Sequence, residues 1–345
     1  MIGEKLARWA CVLAAASVLS SGAARSGVTI VMGTVAPSDS PWHKVLKQMG
    51  EDWKKASNGE VALKVLADGS LGDELAMVQK LRAGVLSGIA ISGAGLPEIE
   101  PAVMAFQVPM MFDSYAELDY VRERIAPRLE KSIEDKGFIV LNWGDVGWIH
   151  FFSKQPARTL DDFRKTKLYI VAGDAKAENF YKLAGFKPVP LSATDILPML
   201  QTGVIDAFDV PPLYALSGQL FGLAKHMSDV RWAPLVGATL VSKKAWEKIP
   251  AALRPKLLAA ARVAGEKFQT DIRALSDQAI SEMEKRGLVV VKTTDAERAS
   301  WQREAEGVWP RLRGAYVPPE LFDEVKRIRD EFRASRKPAA AGPAK

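Results

Sequence analysis

Few residues in this 345-residue chain stand at spacings that could do covalent chemistry. The three histidines, His43, His150 and His226, lie far apart with no second ligand at helical or CxxC-like spacing, so the usual zinc patterns are missing. There is no Gly-x-Ser-x-Gly elbow and no Gly-x-x-x-x-Gly-Lys phosphate loop. Gly93-Ala94-Gly95 lacks the third glycine of a dinucleotide fingerprint and runs to Pro97 rather than into a helix. Asp161-Asp162 reads as a helix start, not as an acid and base pair. No catalytic residue, metal or cofactor is therefore expected, and an enzyme is not the reading. What the sequence does offer is wall material for a small molecule: Trp148, Phe151, Tyr169, Phe208, Tyr214 and Trp232 fall at expected strand ends or in adjacent loops. Any one of them could be core. Their shared position points to a cleft, and with Trp42, Ser92, Met110, Ile149, Asp206 and Asp209 they form the candidate ligand-binding set.

The elements that must position these side chains are legible in the pattern. Residues 191–214, LSATDILPMLQTGVIDAFDVPPLY, are the organising stretch. Ser192 is a good N-cap, and Asp195 falls at N3, where a carboxylate suits the helix N-terminus. Ile196, Met199, Leu200 and Val204 recur at helical spacing, and Gly203 supplies the stop. Residues 204–209 then read as a short strand ended by Pro211-Pro212. Upstream, 28–34 reads as a buried strand, and Ser40-Pro41 opens a helix whose apolar face is Trp42, Val45, Leu46, Met49 and Trp53. A strand at 61–66, a helix at 73–83 stopped by Gly84, and a strand at 89–92 follow. Such alternation is the grammar of a mostly parallel sheet, whose ligands collect beyond the C-terminal strand ends. Further strands are expected at 138–143, 227–232 and 238–242, and Asp174 is expected to cap a helix. Residues 251–286 hold one glycine, Gly265, and no proline after Pro255, so they predict a single helix about 50 Å long.

Composition bounds the class. With 48% hydrophobic and 26% charged residues the chain is of ordinary globular type, long enough for two cores. Residues 1–24 differ: Lys5 and Arg8 precede an apolar run too short to span a bilayer, and small residues follow, which is the form of a secretory signal peptide cleaved near Ala24. The only cysteine, Cys11, lies within it without a lipid-attachment pattern, so the exported protein is expected to be free, soluble and without disulfides, as suits a periplasm. The net charge of +6 is spread among interleaved acids and bases, a solvated surface rather than a nucleic-acid or membrane patch.

Motifs spread through both halves carry a resemblance: Ser40-Pro41-Trp42, Ser57-Asn58-Gly59-Glu60-Val61, Leu71-Gly72, Leu81-Arg82-Ala83-Gly84, Val108-Pro109-Met110-Met111-Phe112, and the helix, Gly-apolar-apolar-Asp, strand, Pro pattern around Gly203. In these the chain resembles the solute-binding proteins of tripartite ATP-independent periplasmic (TRAP) transporters, the DctP-like family. The resemblance implies an α/β, two-lobe periplasmic-binding-protein-like fold with mixed, mostly parallel sheets and a long interlobe helix. Lobe I would be 27–147 and 233–265, lobe II 148–232 and 286–335, the spine helix 251–286, and 336–345 a disordered tail. It implies a periplasmic protein that captures a small-molecule ligand and delivers it to membrane permease subunits, with a periplasmic accessory protein as a further partner and no nucleic acid. One departure bears on the ligand. Acid-binding members place arginines at the positions that Tyr169 and Ile149 occupy, where a guanidinium can grip a carboxylate through two parallel hydrogen bonds. An uncharged or hydrophobic ligand is therefore expected. The alternatives are an organic acid held by a displaced cation, such as Lys176 or Arg231, or a secreted enzyme or sensor on the same scaffold, with Asp206 or Asp209 as the reactive acid.

Overall fold

The computed structural model describes residues 27–173 and 175–336, apart from the side chains of 175–177 and 180. The expected signal peptide, the Asp174 cap and the tail beyond Arg336 lie outside the described residues; Arg336 itself closes the last helix.

In chain order the first part comprises β1 (Val28–Thr34), α1 (Pro41–Ala56), β2 (Val61–Leu66), α2 (Glu74–Arg82), β3 (Gly88–Ser92), α3 (Tyr115–Asp135) and β4 (Phe138–Trp148). The next contains β5 (His150–Ser153), α4 (Leu160–Arg164), β6 (Lys167–Val171), α5 (Ala175–Leu183), β7 (Lys187–Leu191), α6 (Ile196–Thr202), β8 (Ala207–Val210), α7 (Pro212–Ser217) and β9 (His226–Ser228). It closes with β10 (Pro234–Ser242), α8 (Lys243–Trp246), α9 (Arg254–Lys285), β11 (Val289–Val291), α10 (Asp295–Ala315) and α11 (Pro319–Arg336).

The strands form two sheets, of order β2-β1-β3-β10-β4 and β11-β9-β5-β8-β6-β7. In the first, β1 runs parallel to β2 and β3, while β10 is antiparallel to β3 and β4. In the second, β6 is parallel to β7 and β8, β11 is parallel to β9, and β5 is antiparallel to β8 and β9. Mixed sheets with helices on their faces agree with the expected fold class. Strands β4 and β10 run longer than their apolar runs suggested. They pair from Phe138↔Ser242 to Trp148↔Pro234, and beyond Trp148 the Ile149 amide donates to Ala233 O at 2.8 Å while the Trp232 amide donates to Ile149 O at 2.9 Å. The two sheets are thus joined by a hydrogen-bonded ribbon rather than by loose loops.

The expected long helix is α9, 32 residues or about 48 Å of regular helix. It buries Leu257, Ala261, Gly265, Ile272, Ser276, Ala279 and Met283, a stripe of mostly small residues that lets it lie close on β4. At Gly265 the approach is so near that a Cβ would stand 2.5 Å from Asn142 Cβ.

Two expectations need correction. The C-terminal helix does not complete the second lobe: Leu321, Phe322, Val325 and Ile328 of α11 share an apolar cluster with Val121, Ile125 and Leu129 of α3, against the first sheet. α10 spans the two, with Trp301 and Ala305 in the second sheet's cluster beside Phe151 and Phe163, and Trp309 in the first. In the 191–214 stretch, Ser192 begins a 3-10 turn without capping it, and α6 starts only at Ile196; Gly203, at φ +75°, ends it as expected. Val204 is exposed and the strand begins later, at Ala207.

Candidate ligand-binding cleft

A cavity of about 380 Å³ opens between the two sheets. The first sheet contributes Thr34 at the end of β1, Ser92 at the end of β3, and Gly237 and Thr239 of β10. The second contributes the C-terminal ends of β6 and β8, Tyr169 to Ala172 and Asp209 to Pro211, and Phe268 of α9 closes one side. Ligand space beyond carboxyl strand ends is what a parallel sheet grammar implies.

Six of the twelve candidate residues reach this cavity: Trp42, Ser92, Ile149, Tyr169, Asp209 and Tyr214. Trp42, carried on α1 behind the Ser40 cap, is 7% exposed, its ring 6.4 Å from that of Tyr214, and its Nε1–H is buried without a partner among the described residues. Tyr169 and Ile149, at the positions where arginines were looked for, both line the cleft.

The other six do not. Depth along the strand decides: Asp209 and Val210 at the end of β8 reach the cavity, whereas Phe208, one residue back, stacks on Phe152 at 5.0 Å and is fully buried. Phe151 and Trp232 pack with Trp301 and Phe163 in an aromatic cluster, and Met110 joins it, its amide donating to Trp232 O at 2.6 Å. Asp206 stands at the other end of β8, 3.7 Å from Lys167 Nζ and 3.9 Å from Lys154 Nζ. Trp148 lines a second, separate cavity of about 200 Å³ with Tyr115, His150, Asp229 and Arg231. Arg231 is therefore not a cation of the main cleft, and the Lys176 side chain lies outside the described ones.

Sequence reasoning missed Glu74, Gln107 and Tyr181, which line the cleft from α2, the loop before α3, and α5. Glu74 is occupied in holding the loop after β3: it accepts from Ser92 N at 2.9 Å, Ser92 Oγ at 3.0 Å and Gly95 N at 2.8 Å. Burial outweighs those bonds and pushes its carboxyl up to about 7. The Gln107 amide sits where a Cβ on Gly93 would fall, 1.9 Å from Nε2, and among the described residues that nitrogen has only the Met104 sulfur at 3.7 Å. The Gly93-Ala94-Gly95 run was the available signal, since glycines there let neighbouring groups approach the backbone.

The electrostatics of the cleft are one-sided. Among the described residues, no lysine, arginine or histidine lines it, whereas Asp73, Glu74, Glu98 and Asp209 do. Burial raises the Asp209 carboxyl to about 7, opposed only by a bond from its own backbone amide. Burial also lifts the Tyr169 hydroxyl well above its ordinary range, with Tyr214, Asp209, Glu74 and Asp73 adding to the shift. Tyr214 is raised to about 12 by burial and by Glu74. The arrangement can hold a polar solute against aromatic walls, with acceptor oxygens and the Trp42 and Gln107 donors to hand. Among the described residues no group of three or more metal-type ligands converges.

Comparison with known proteins identifies relatives of the chain and of its fold. The model of the bacterial extracellular solute-binding proteins, family 7 (DctP), matches residues 32–314. The chain is 25% identical over 298 residues to the C4-dicarboxylate-binding periplasmic protein DctP of Rhodobacter capsulatus, covering 82% of this chain and 86% of that one. A TRAP periplasmic solute-binding protein of Xanthobacter autotrophicus Py2, solved with bound β-D-galacturonate, superposes with a TM-score of 0.80 at 22% identity, over 87% of this chain and 99% of that one. The sugar-acid-binding protein of Advenella mimigardefordensis strain DPN7T, solved with galactonate, gives a TM-score of 0.83 at 20% identity, over 89% and 99%.

Proposed function

The chain belongs to the bacterial extracellular solute-binding proteins of family 7, and from that premise we propose that it is the periplasmic, ligand-capturing subunit of a TRAP-type transporter. It takes a small organic acid between its two lobes and delivers it to membrane permease subunits. The observation that carries this reading is the cavity of about 380 Å³ walled at once by both sheets and by α9. A ligand touching both walls favours the closed arrangement by its differential contacts, and the β4–β10 ribbon is where the lobes would bend. The hydrophobic ligand expected from the missing arginines is replaced: the ligands named for the relatives are galacturonate, galactonate and C4-dicarboxylates, all acids. Of the two acids offered for the enzyme alternative, Asp206 is ion-paired away from the cleft and Asp209 lines it.

Native mass spectrometry of gently purified exported protein, followed by calorimetry with succinate, galacturonate and galactonate, tests the reading. One unmodified small molecule per chain, with release by denaturation and no turnover, is the expected outcome. Turnover of a bound acid would overturn it.

A further inference from the structure

An acid in this cleft meets a difficulty that its chemistry must solve. A carboxylate moved from water into a buried site is strongly disfavoured unless a positive charge accompanies it. Among the described residues the lining supplies none, and it adds the unpaired carboxyl of Asp209. Asp209 projects to the face of the second sheet on which Tyr181 of α5 packs, while Tyr169 on β6 and Tyr214 on α7, with Trp42 against it, line the same cavity from the other face. Aromatic faces together with one carboxylate are the recognition elements for a protonated or quaternary nitrogen, whose charge is attracted by ring quadrupoles and by the acid. Elsewhere in the cavity the available groups are donors: the buried, unpartnered Trp42 Nε1–H and the Gln107 amide, which has only a sulfur partner.

From these positions we infer that the ligand is a zwitterionic organic acid, an amino- or betaine-type solute whose cationic nitrogen lies against Asp209 and Tyr181 in the tyrosine-lined cavity while its carboxylate takes the Trp42 and Gln107 donors. The inference rests on the solute-binding reading and narrows it. The ligand brings its own positive charge, so the protein needs no arginine at Tyr169 or Ile149. Net neutrality of the solute removes most of the cost of burying its carboxylate, and the nitrogen restores a partner to Asp209.

The test is calorimetry on the exported, full-length protein with glycine betaine, L-proline and L-carnitine, against succinate, galacturonate and isovalerate, an uncharged-tail acid close in shape to betaine. At least one zwitterion is expected to bind ten times or more tighter than every plain acid, since a cation held by rings and a carboxylate contributes at least one order of magnitude. Asp209→Asn, checked for folding by circular dichroism, should weaken that zwitterion about tenfold or more and leave isovalerate unchanged or improved. Tyr181→Phe should retain binding where Tyr181→Leu loses it. If plain acids bind and none of the zwitterions does, or if Asp209→Asn leaves zwitterion affinity intact, the inference falls while the solute-binding reading stands. Loss of plain-acid binding in Lys176→Ala would identify a displaced cation and would likewise overturn it. A protein that binds neither class, and carries no small molecule in native mass spectrometry, sinks both readings.

Discussion

Two sites in this molecule draw aspartates away from water, and they treat them in opposite ways. At the joint between α3, β4 and α9, Asp145 receives Arg122 Nη1 at 2.7 Å and Arg273 Nε at 2.7 Å, while Asp119 receives both Arg273 terminal nitrogens at 2.6 and 2.7 Å. Burial alone would raise the Asp119 carboxyl, but the Arg273 bonds and the charges of Arg122 and Arg273 outweigh it and hold it below its ordinary value. In the cleft, burial wins at Asp209 because no cation answers it among the described lining. Paired buried charge fixes the spine helix to the first lobe. Unpaired buried charge is held ready for something that the chain itself does not supply.

The sharpest way to break this contrast is to remove one member of the paired set. Asp145→Ala takes one of two carboxylate partners from each of Arg122 and Arg273, leaving both on Asp119 alone, and a loss of roughly 3–5 kcal/mol in urea unfolding is expected. A loss within about 1 kcal/mol would mean the network is solvated and the contrast is false.

A second probe lies between the regions, at His150, which is buried in the sheet joint with Nδ1 2.9 Å from Ser228 O. Burial lowers its pKa from 6.5 to about 4, with Arg231 adding to the shift and the Ser228 bond, Asp229 and Asp277 opposing it. The unfolded chain binds the proton first, so stability is present above about pH 6.5 and is lost as pH falls toward about 4, by up to roughly 3 kcal/mol. His150→Gln should flatten that limb of the unfolding profile, and an unchanged slope would show that other groups cause it.

Asp209→Asn is the mirror of the first variant. A carboxyl raised from 3.8 to about 7 makes the folded protein bind the extra proton, so stability is lost as pH rises through that window. Tyr181 packs on the Asp209 face of the sheet, Tyr169 and Tyr214 line the same cavity from the other face, and Glu74, raised in the same direction, keeps part of the slope. The amide variant, free of ligand, should be more stable than the parent at pH 8 by about 1–2 kcal/mol. Destabilisation at that pH would mean that the Asp209 charge has a structural partner.

The smallest effect is expected where charges are paired but open to water. Lys131, one turn from Asp135 on α3, is fully solvent-exposed, and Lys131→Ala should leave the unfolding midpoint unmoved. A clear shift there would show that pairing, rather than burial, sets the worth of these charges.

Much of the fold was written locally. Period-2 and 3.6-residue patterns, Ser40 with Pro41, Gly203 and the proline-free run after Pro255 give strands and helices from neighbours in sequence alone, because hydrogen bonding and propensity act over a few residues. Half of the candidate site was legible for the same reason: Trp42, Ser92, Ile149, Tyr169, Asp209 and Tyr214 sit at element ends that a pattern can mark. The rest was settled by partners far away in the chain. Phe208 and Phe151 are taken into the core by side chains distant in sequence, Phe152 for the one and Trp301 for the other. Helix α11 lies on α3 because Leu321, Phe322, Val325 and Ile328 find their apolar complement in the first lobe. The ionisation of the acids followed the same logic, since Asp119 and Asp209 are the same residue type, and tertiary packing brought Arg273 to the one and, among the described lining, no cation to the other.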